Sequence, residues 1–137
     1  RAHSKHEIEQ KLLRVGYRPC TVEMVLYKLE REHLLNDADF ARQWVEARSG
    51  RKLGRSRIAQ ELRRKGIDAD EAEEALSAIG EDAQLADAIA LAEKTAARAK
   101  SDEDPRKTYQ RIAAMLARRG FRWDITKEAL AQVLQAD

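Results

Sequence analysis

At 137 residues the chain has the length of one modest domain or of a few small repeats, and 43% hydrophobic with 36% charged residues is the balance of a folded chain, not of a disordered tail or a membrane protein. No apolar run approaches the length of a bilayer span, the lone Cys20 allows no internal disulfide, and no signal-peptide pattern is present, so a reducing, cytoplasmic setting is expected. The formal net charge of +2 conceals a segregation: residues 1–47 balance, 48–65 carry eight basic side chains against Glu61 alone, 66–104 carry twelve acidic against three basic, and 105–137 carry seven basic against three acidic. A positive field is therefore expected at 48–65, and with it an anionic partner.

Six glycines and two prolines among abundant Ala, Leu, Glu, Arg and Lys make the chain all-α. Ser4 and Glu7 form the pattern of a capping box, which predicts a helix over about 5–15 closed by Gly16. Another helix starts after Arg18-Pro19. Asn36 with Asp39 starts one near 37 that stops before Gly50, and Asp68 with Glu71 starts one near 69 that stops before Gly80. An Ala-rich helix follows over about 82–100. Ser101-Asp102-Glu103-Asp104-Pro105 then reads as a polar linker, with Pro105 in the first turn of the next helix.

Gly16, Gly66 and Gly120 mark one pattern three times. Ile8, Ile58 and Ile112 stand eight residues before them, Leu12, Leu62 and Leu116 four before, and Tyr17, Ile67 and Phe121 one after. Val25-Leu26, Ala75-Leu76 and Ala129-Leu130 follow at nine and ten residues. The spacing puts each set on one helical face, so the isoleucines and leucines before the glycines are predicted to be buried. A preceding helix recurs in two repeats, as Phe40, Ala41 and Trp44 and, 45 residues later, as Leu85, Ala86 and Ile89. Only Arg1, Ala2 and His3 precede Ser4, so the first repeat is expected to lack that helix. The chain is thus read as three-helix repeats at 1–36, 37–80 and 81–137, stacked in tandem into an elongated array.

No catalytic constellation is present. His3, His6 and His33 lack a cysteine at zinc spacing, Cys20 has no basic partner and reads as a small half-buried residue, and there is no P-loop, dinucleotide fingerprint or nucleophile motif. The expectation is a protein that is not an enzyme and holds no metal or cofactor. Phe40, Trp44, Tyr17 and Phe121 are assigned to the core, whereas Trp123, after Arg122 at a helix start, is a candidate for an exposed partner contact.

The basic block is the candidate binding site. Arg48, Arg51, Lys52 and Arg55 lie in and beside a loop bracketed by Gly50 and Gly54. With Ile58 and Leu62 facing inward, Arg57 and Arg64 share one flank of the following helix, and Arg111 and Arg118 hold the same places before Gly120. The first repeat keeps Arg14 but has Glu7 at the other place. Arginine's fork of donors suits carboxylate and phosphate alike, so chemistry alone leaves an acidic protein and a nucleic acid both open.

Four segments, Ser4–Leu12 (SKHEIEQKL), Leu34–Ala41 (LLNDADFA), Gly54–Ile67 (GRSRIAQELRRKGI) and Arg118–Phe121 (RRGF), resemble in order the signatures of the bacterial RecX regulatory proteins. The resemblance covers essentially the whole chain, and the Gly54–Ile67 segment is its most specific part. It implies a curved array of three-helix repeats that lodges in the groove of the RecA–single-stranded-DNA filament and inhibits ATP hydrolysis, strand exchange and coprotease activity. The missing first helix is the one departure. The implied partner is the RecA nucleoprotein filament, with possible direct contact to single-stranded DNA, no membrane, and a monomeric regulator. A helix-turn-helix-like DNA-binding protein is the alternative, against which stand the modest pI near 8.8 and the acidic 66–104 block.

Overall fold

The computed structural model describes residues 3–134 and contains eight helices and, among the described residues, no strand: α1 (Lys5–Val15), α2 (Pro19–Arg31), α3 (Asp37–Ser49), α4 (Arg55–Arg64), α5 (Ala69–Leu76), α6 (Glu81–Ala97), α7 (Pro105–Arg118) and α8 (Trp123–Val133). Arg1 and Ala2, and the last three residues of the third repeat, lie outside the described residues. Local chemistry explains most helix ends. The Ser4 hydroxyl accepts from the Glu7 amide at 3.1 Å while the Glu7 carboxylate accepts from the Ser4 amide at 3.1 Å, completing the capping box of α1. The Asn36 side chain accepts from the Asp39 amide at the start of α3, and Asp104 accepts from the Arg106 amide with Pro105 in the first turn of α7.

The three glycine turns are the same structure. Gly16, Gly66 and Gly120 have φ of +111°, +76° and +93°, a region that costs any side chain bearing a Cβ. In each turn the next residue, Tyr17, Ile67 or Phe121, donates its amide to the leucine four before the glycine, Leu12, Leu62 or Leu116, at 3.0–3.2 Å.

The chain divides into two compact bodies. One comprises the residues up to Glu46 together with Ala59–Leu76, the other Ala47–Ile58 and the residues from Ser77 onward. Two of the three cuts fall inside α3 and α4, and the third directly after α5. In the second body α6 packs on α8 and α7, with Ala88, Ala92, Ile112, Leu116, Phe121, Ala129 and Leu130 forming the core. Alanines at 88 and 92 bring the helices close. In the first body α1 pairs with α2, and the buried side chains include Leu26, Phe40, Val45, Leu62, Ile67 and Leu76.

Several expectations need correction. Ile58, Leu62, Ile112 and Leu116 are fully buried, but Ile8 and Leu12 are only half-buried and Tyr17 is 53% exposed. Among the described residues α1 packs chiefly on α2, with no helix over the pair in the place α6 takes over α7 and α8. Cys20 is exposed instead of half-buried, as are Asp70 and Asp124 at the equivalent places after Gly66 and Gly120. The 45-residue register between the preceding helices also fails. Ala86 is exposed, and the buried residues of α6 are Gln84, Ala88 and Ala92, so its inward face is set by the i, i+4 alanines. Helix α5 does stop before Gly80, at Leu76, and Gly80 is the N-cap of α6. Trp44 is half-buried. It stacks on Phe40 at 5.8 Å and its indole N–H donates to Glu61.

Candidate functional site

Within the first body the start of α1 seats on the glycine turn that follows α4. The Ser4 hydroxyl, fully buried, donates to the Lys65 carbonyl at 2.8 Å, and a Cβ on Gly66 would overlap the side chain of His6. The Lys65 ammonium binds the Glu7 carboxylate at 3.0 Å and lies 5.1 Å from the centre of the Trp44 ring.

The second body contains the equivalent joint, made by the start of α4 and the turn after α7. The Gly54 amide donates to the Arg119 carbonyl at 2.7 Å, the Ser56 amide to the Gly120 carbonyl at 3.2 Å, and the Arg57 guanidinium to the Arg118 carbonyl at 3.3 Å. A Cβ on Gly54 would overlap the Gly120 backbone, and one on Gly120 would overlap Arg57, so two glycines are what allow the backbones to meet. Counted from the two turn glycines, Ser4 and Gly54 are equivalent positions, as are Glu7 and Arg57, and Lys65 and Arg119.

This joint gathers the basic residues. Segments 51–57 and 118–122 contain Arg51, Lys52, Arg55, Arg57, Arg118, Arg119 and Arg122 and no carboxylate, and Arg122 pairs with Asp124 just beyond at 3.0 Å. Arg51, Lys52, Arg57 and Arg118 are exposed, and Arg55 is half-buried at the first position of α4. Lys52 holds a left-handed φ of +58° where the chain turns out of α3. Arg48, half-buried in the last turn of α3, accepts the Leu53 amide on its carbonyl and so leads into the same loop.

Two of the candidate residues stand apart. Arg64 is exposed at the end of α4 but belongs to the first body, where it occupies the place that Arg118 has in the second. Arg111 forms a two-pronged ion pair with Glu103, whose carboxylate also accepts from the Thr108 hydroxyl at 2.5 Å. The supposed linker is therefore an anchored segment, and those two donors hold the Glu103 carboxyl below the usual carboxylate range. Trp123 is 59% exposed at the start of α8, as its sequence position predicts.

Sequence reasoning missed Arg119 and Gln84. Arg119 donates from Nε to the Lys52 carbonyl at 3.1 Å and from Nη2 to the Arg51 carbonyl at 2.5 Å. Gln84, 4% exposed on α6, accepts from the Arg55 amide at 3.1 Å and donates to the Leu53 carbonyl at 3.5 Å. The available signal was Arg119's place beside the turn glycine, matching Lys65. Among the described residues no three His, Cys, Asp or Glu side chains converge as a metal site, and no helix is long and apolar enough to cross a membrane. The side chains at this joint are arginine and lysine, hydrogen-bond donors without acceptor atoms.

Comparison with known proteins agrees with this architecture. Family models described as "RecX, second three-helix domain" and "RecX, third three-helix domain" match residues 36–76 and 82–130. The regulatory protein RecX of Mycobacteroides abscessus is 38% identical over 96% of this chain and 67% of its own length, and that of Mycobacterium ulcerans is 34% identical over 100% and 80%. The crystal structure of RecX from Lactobacillus salivarius superposes with a TM-score of 0.86 at 27% identity, over 99% of this chain and 88% of that one. The chain belongs to the RecX family of regulatory proteins.

Proposed function

We propose that this protein is a non-enzymatic, monomeric, cytoplasmic regulator that binds the RecA–single-stranded-DNA filament and inhibits its ATPase, strand-exchange and coprotease activities. The three repeats at 1–36, 37–80 and 81–137 are part of that reading. The observation that carries it is the second joint, where a shared backbone contact collects cations from two distant segments into one surface without an intervening carboxylate in either segment. Such a surface suits an anionic partner, and the family relationship names a regulator. Arg51, Lys52, Arg55, Arg57 and Arg118 make the contact, with Arg48 at its edge. Arg64, in the first body, and Arg111, paired with Glu103, are proposed as separate contacts of the same partner. Direct contact with the single-stranded DNA of the filament belongs to the same surface.

The test is binding to RecA-coated single-stranded DNA against naked single-stranded and duplex DNA, by anisotropy, alongside RecA ATPase assays. Preference for the coated strand with ATPase inhibition is the expected result. Tight binding to one naked duplex sequence, with single base changes costing about 1–3 kcal/mol each, would point to the helix-turn-helix alternative instead.

A further inference from the structure

We infer that Arg119, assisted by Gln84, is a positioning residue that holds the 51–55 loop in its binding shape and does not itself contact the partner; this rests on the reading of the second joint as the binding surface. Both guanidinium donors of Arg119 that reach the loop end on main-chain carbonyls, those of Arg51 and Lys52, whose side chains are exposed. Its own carbonyl accepts the Gly54 amide, so one residue grips the loop from both sides. Gln84 completes the grip: its buried amide group takes the Arg55 N–H and gives a hydrogen to the Leu53 carbonyl, bracketing Gly54.

A loop carrying Lys52 at positive φ and a glycine at 54 would otherwise sample many conformations, and a partner would have to order it on binding. The two-pronged reach to adjacent carbonyls needs the rigid planar fork of arginine. A lysine keeps the charge but cannot span both acceptors. At the equivalent place in the first joint stands Lys65, which serves a single carboxylate, that of Glu7.

The test compares Arg119→Lys, Arg119→Ala, Gln84→Leu and Arg51→Ala in the full chain, with RecA-coated oligodeoxythymidylate as the probe. Arg119→Lys should weaken binding by about tenfold, the scale of one backbone residue left to be ordered, with the salt dependence of affinity unchanged. Arg51→Ala should lower the salt dependence by about one counterion. Hydrogen exchange in the free protein supplies the second readout. Arg119→Lys should speed exchange at the Leu53 and Gly54 amides and Gln84→Leu at Arg55, with Leu116 in α7 unaffected. If Arg119→Lys binds like the parent while Arg119→Ala lowers the salt dependence, Arg119 is a contact residue and the inference is overturned. Unchanged exchange at 53–55 overturns it as well. If the parent itself ignores the coated strand, the proposed function falls, and exchange alone then decides the clamp.

Discussion

The two joints share a plan and differ in charge. In each, the start of one helix seats on the glycine turn ending a helix some sixty residues later, through the Ser4 hydroxyl on the Lys65 carbonyl in one and the Gly54 amide on the Arg119 carbonyl in the other. In the first joint Glu7 meets Lys65, so opposite charges answer each other across the contact. In the second the position of Glu7 is taken by Arg57 and that of Lys65 by Arg119, and both guanidinium groups turn to main-chain carbonyls. Carbonyls satisfy the donors of an arginine without cancelling its charge. Exchanges at two equivalent positions thus separate a joint closed by an ion pair from one closed by arginine bonds to main-chain carbonyls.

The largest effects should come from beneath the turns. Leu62→Ala and Leu116→Ala each remove a fully buried side chain and should cost roughly 2–5 kcal/mol in denaturant unfolding. Leu12→Ala, at the half-buried counterpart, should cost only about 1–2 kcal/mol. Equal losses at all three would remove the distinction drawn between the first repeat and the others.

Next come the glycines. Gly54→Ala should cost about 1–3 kcal/mol by overlap with the Gly120 backbone, although its own φ is unexceptional. Gly120→Ala and Gly66→Ala add the left-handed penalty to a clash, with Arg57 and His6 respectively. Gly66→Val is therefore harsher than its φ alone predicts. Gly16→Ala meets no atom within 4 Å and should cost only about 1 kcal/mol. Thermal midpoints that fail to place Gly16→Ala as the mildest of the four alanine variants would disprove the seating of the joints.

Charge changes should act on function more than on stability. Arg51→Glu with Arg118→Glu should relieve inhibition of RecA ATPase while the helical spectrum stays intact, because reversal replaces attraction by repulsion within a Debye length of about 8 Å. Glu73→Lys with Glu74→Lys should leave binding unchanged or slightly stronger. Glu7→Gln should cost the first joint about 0.5–1 kcal/mol and leave filament binding alone.

The smallest effect is a pH dependence of opposite sign in the two bodies. Arg111 and Thr108 lower the Glu103 carboxyl, so its contribution is present above the ordinary carboxylate range and is lost as pH falls through the lowered value. Lys5 is raised by its hydrogen bond to Glu30, at 2.8 Å, so its contribution is present below the ordinary lysine range and is lost as pH rises through the raised value. Arg111→Ala should flatten the acid limb of a stability-versus-pH curve, and Glu30→Gln the alkaline limb.

What was legible in the sequence was whatever is decided within one turn of helix. The Ser4–Glu7 box, the starts at Asp37 and Pro105 and the left-handed Gly16, Gly66 and Gly120 depend on residues no more than about four apart, and all occur as read. The exposure of Tyr17, against the burial of Ile67 and Phe121, depends on what packs over α1 and α2, which periodicity does not report. The inward face of α6 was misplaced because alanine and leucine alternate along it and only the partner helix selects between them. Of the basic residues, the gathering of Arg51, Lys52, Arg55, Arg57 and Arg118 beside one backbone contact joins two segments more than sixty positions apart. The Arg111–Glu103 pair was not read because Glu103 was taken as linker, and Arg119 and Gln84 escaped because the groups they bind lie 68 and 29 positions away.

The separation that hid those residues also sets the order of folding. The joints close loops spanned by bonds 61 and 68 residues apart, at an entropic cost of about 4 kcal/mol each from the logarithm of loop length, whereas α7 and α8 pair as immediate neighbours. The helix pairs should therefore be formed in the transition state and the joints afterwards. Substitutions at Gly54 or Gly120 should then accelerate unfolding with little change in refolding, while Leu116→Ala slows refolding. A molecule in which the second joint has opened would keep its helices and its charge, yet no longer present its arginines as one surface.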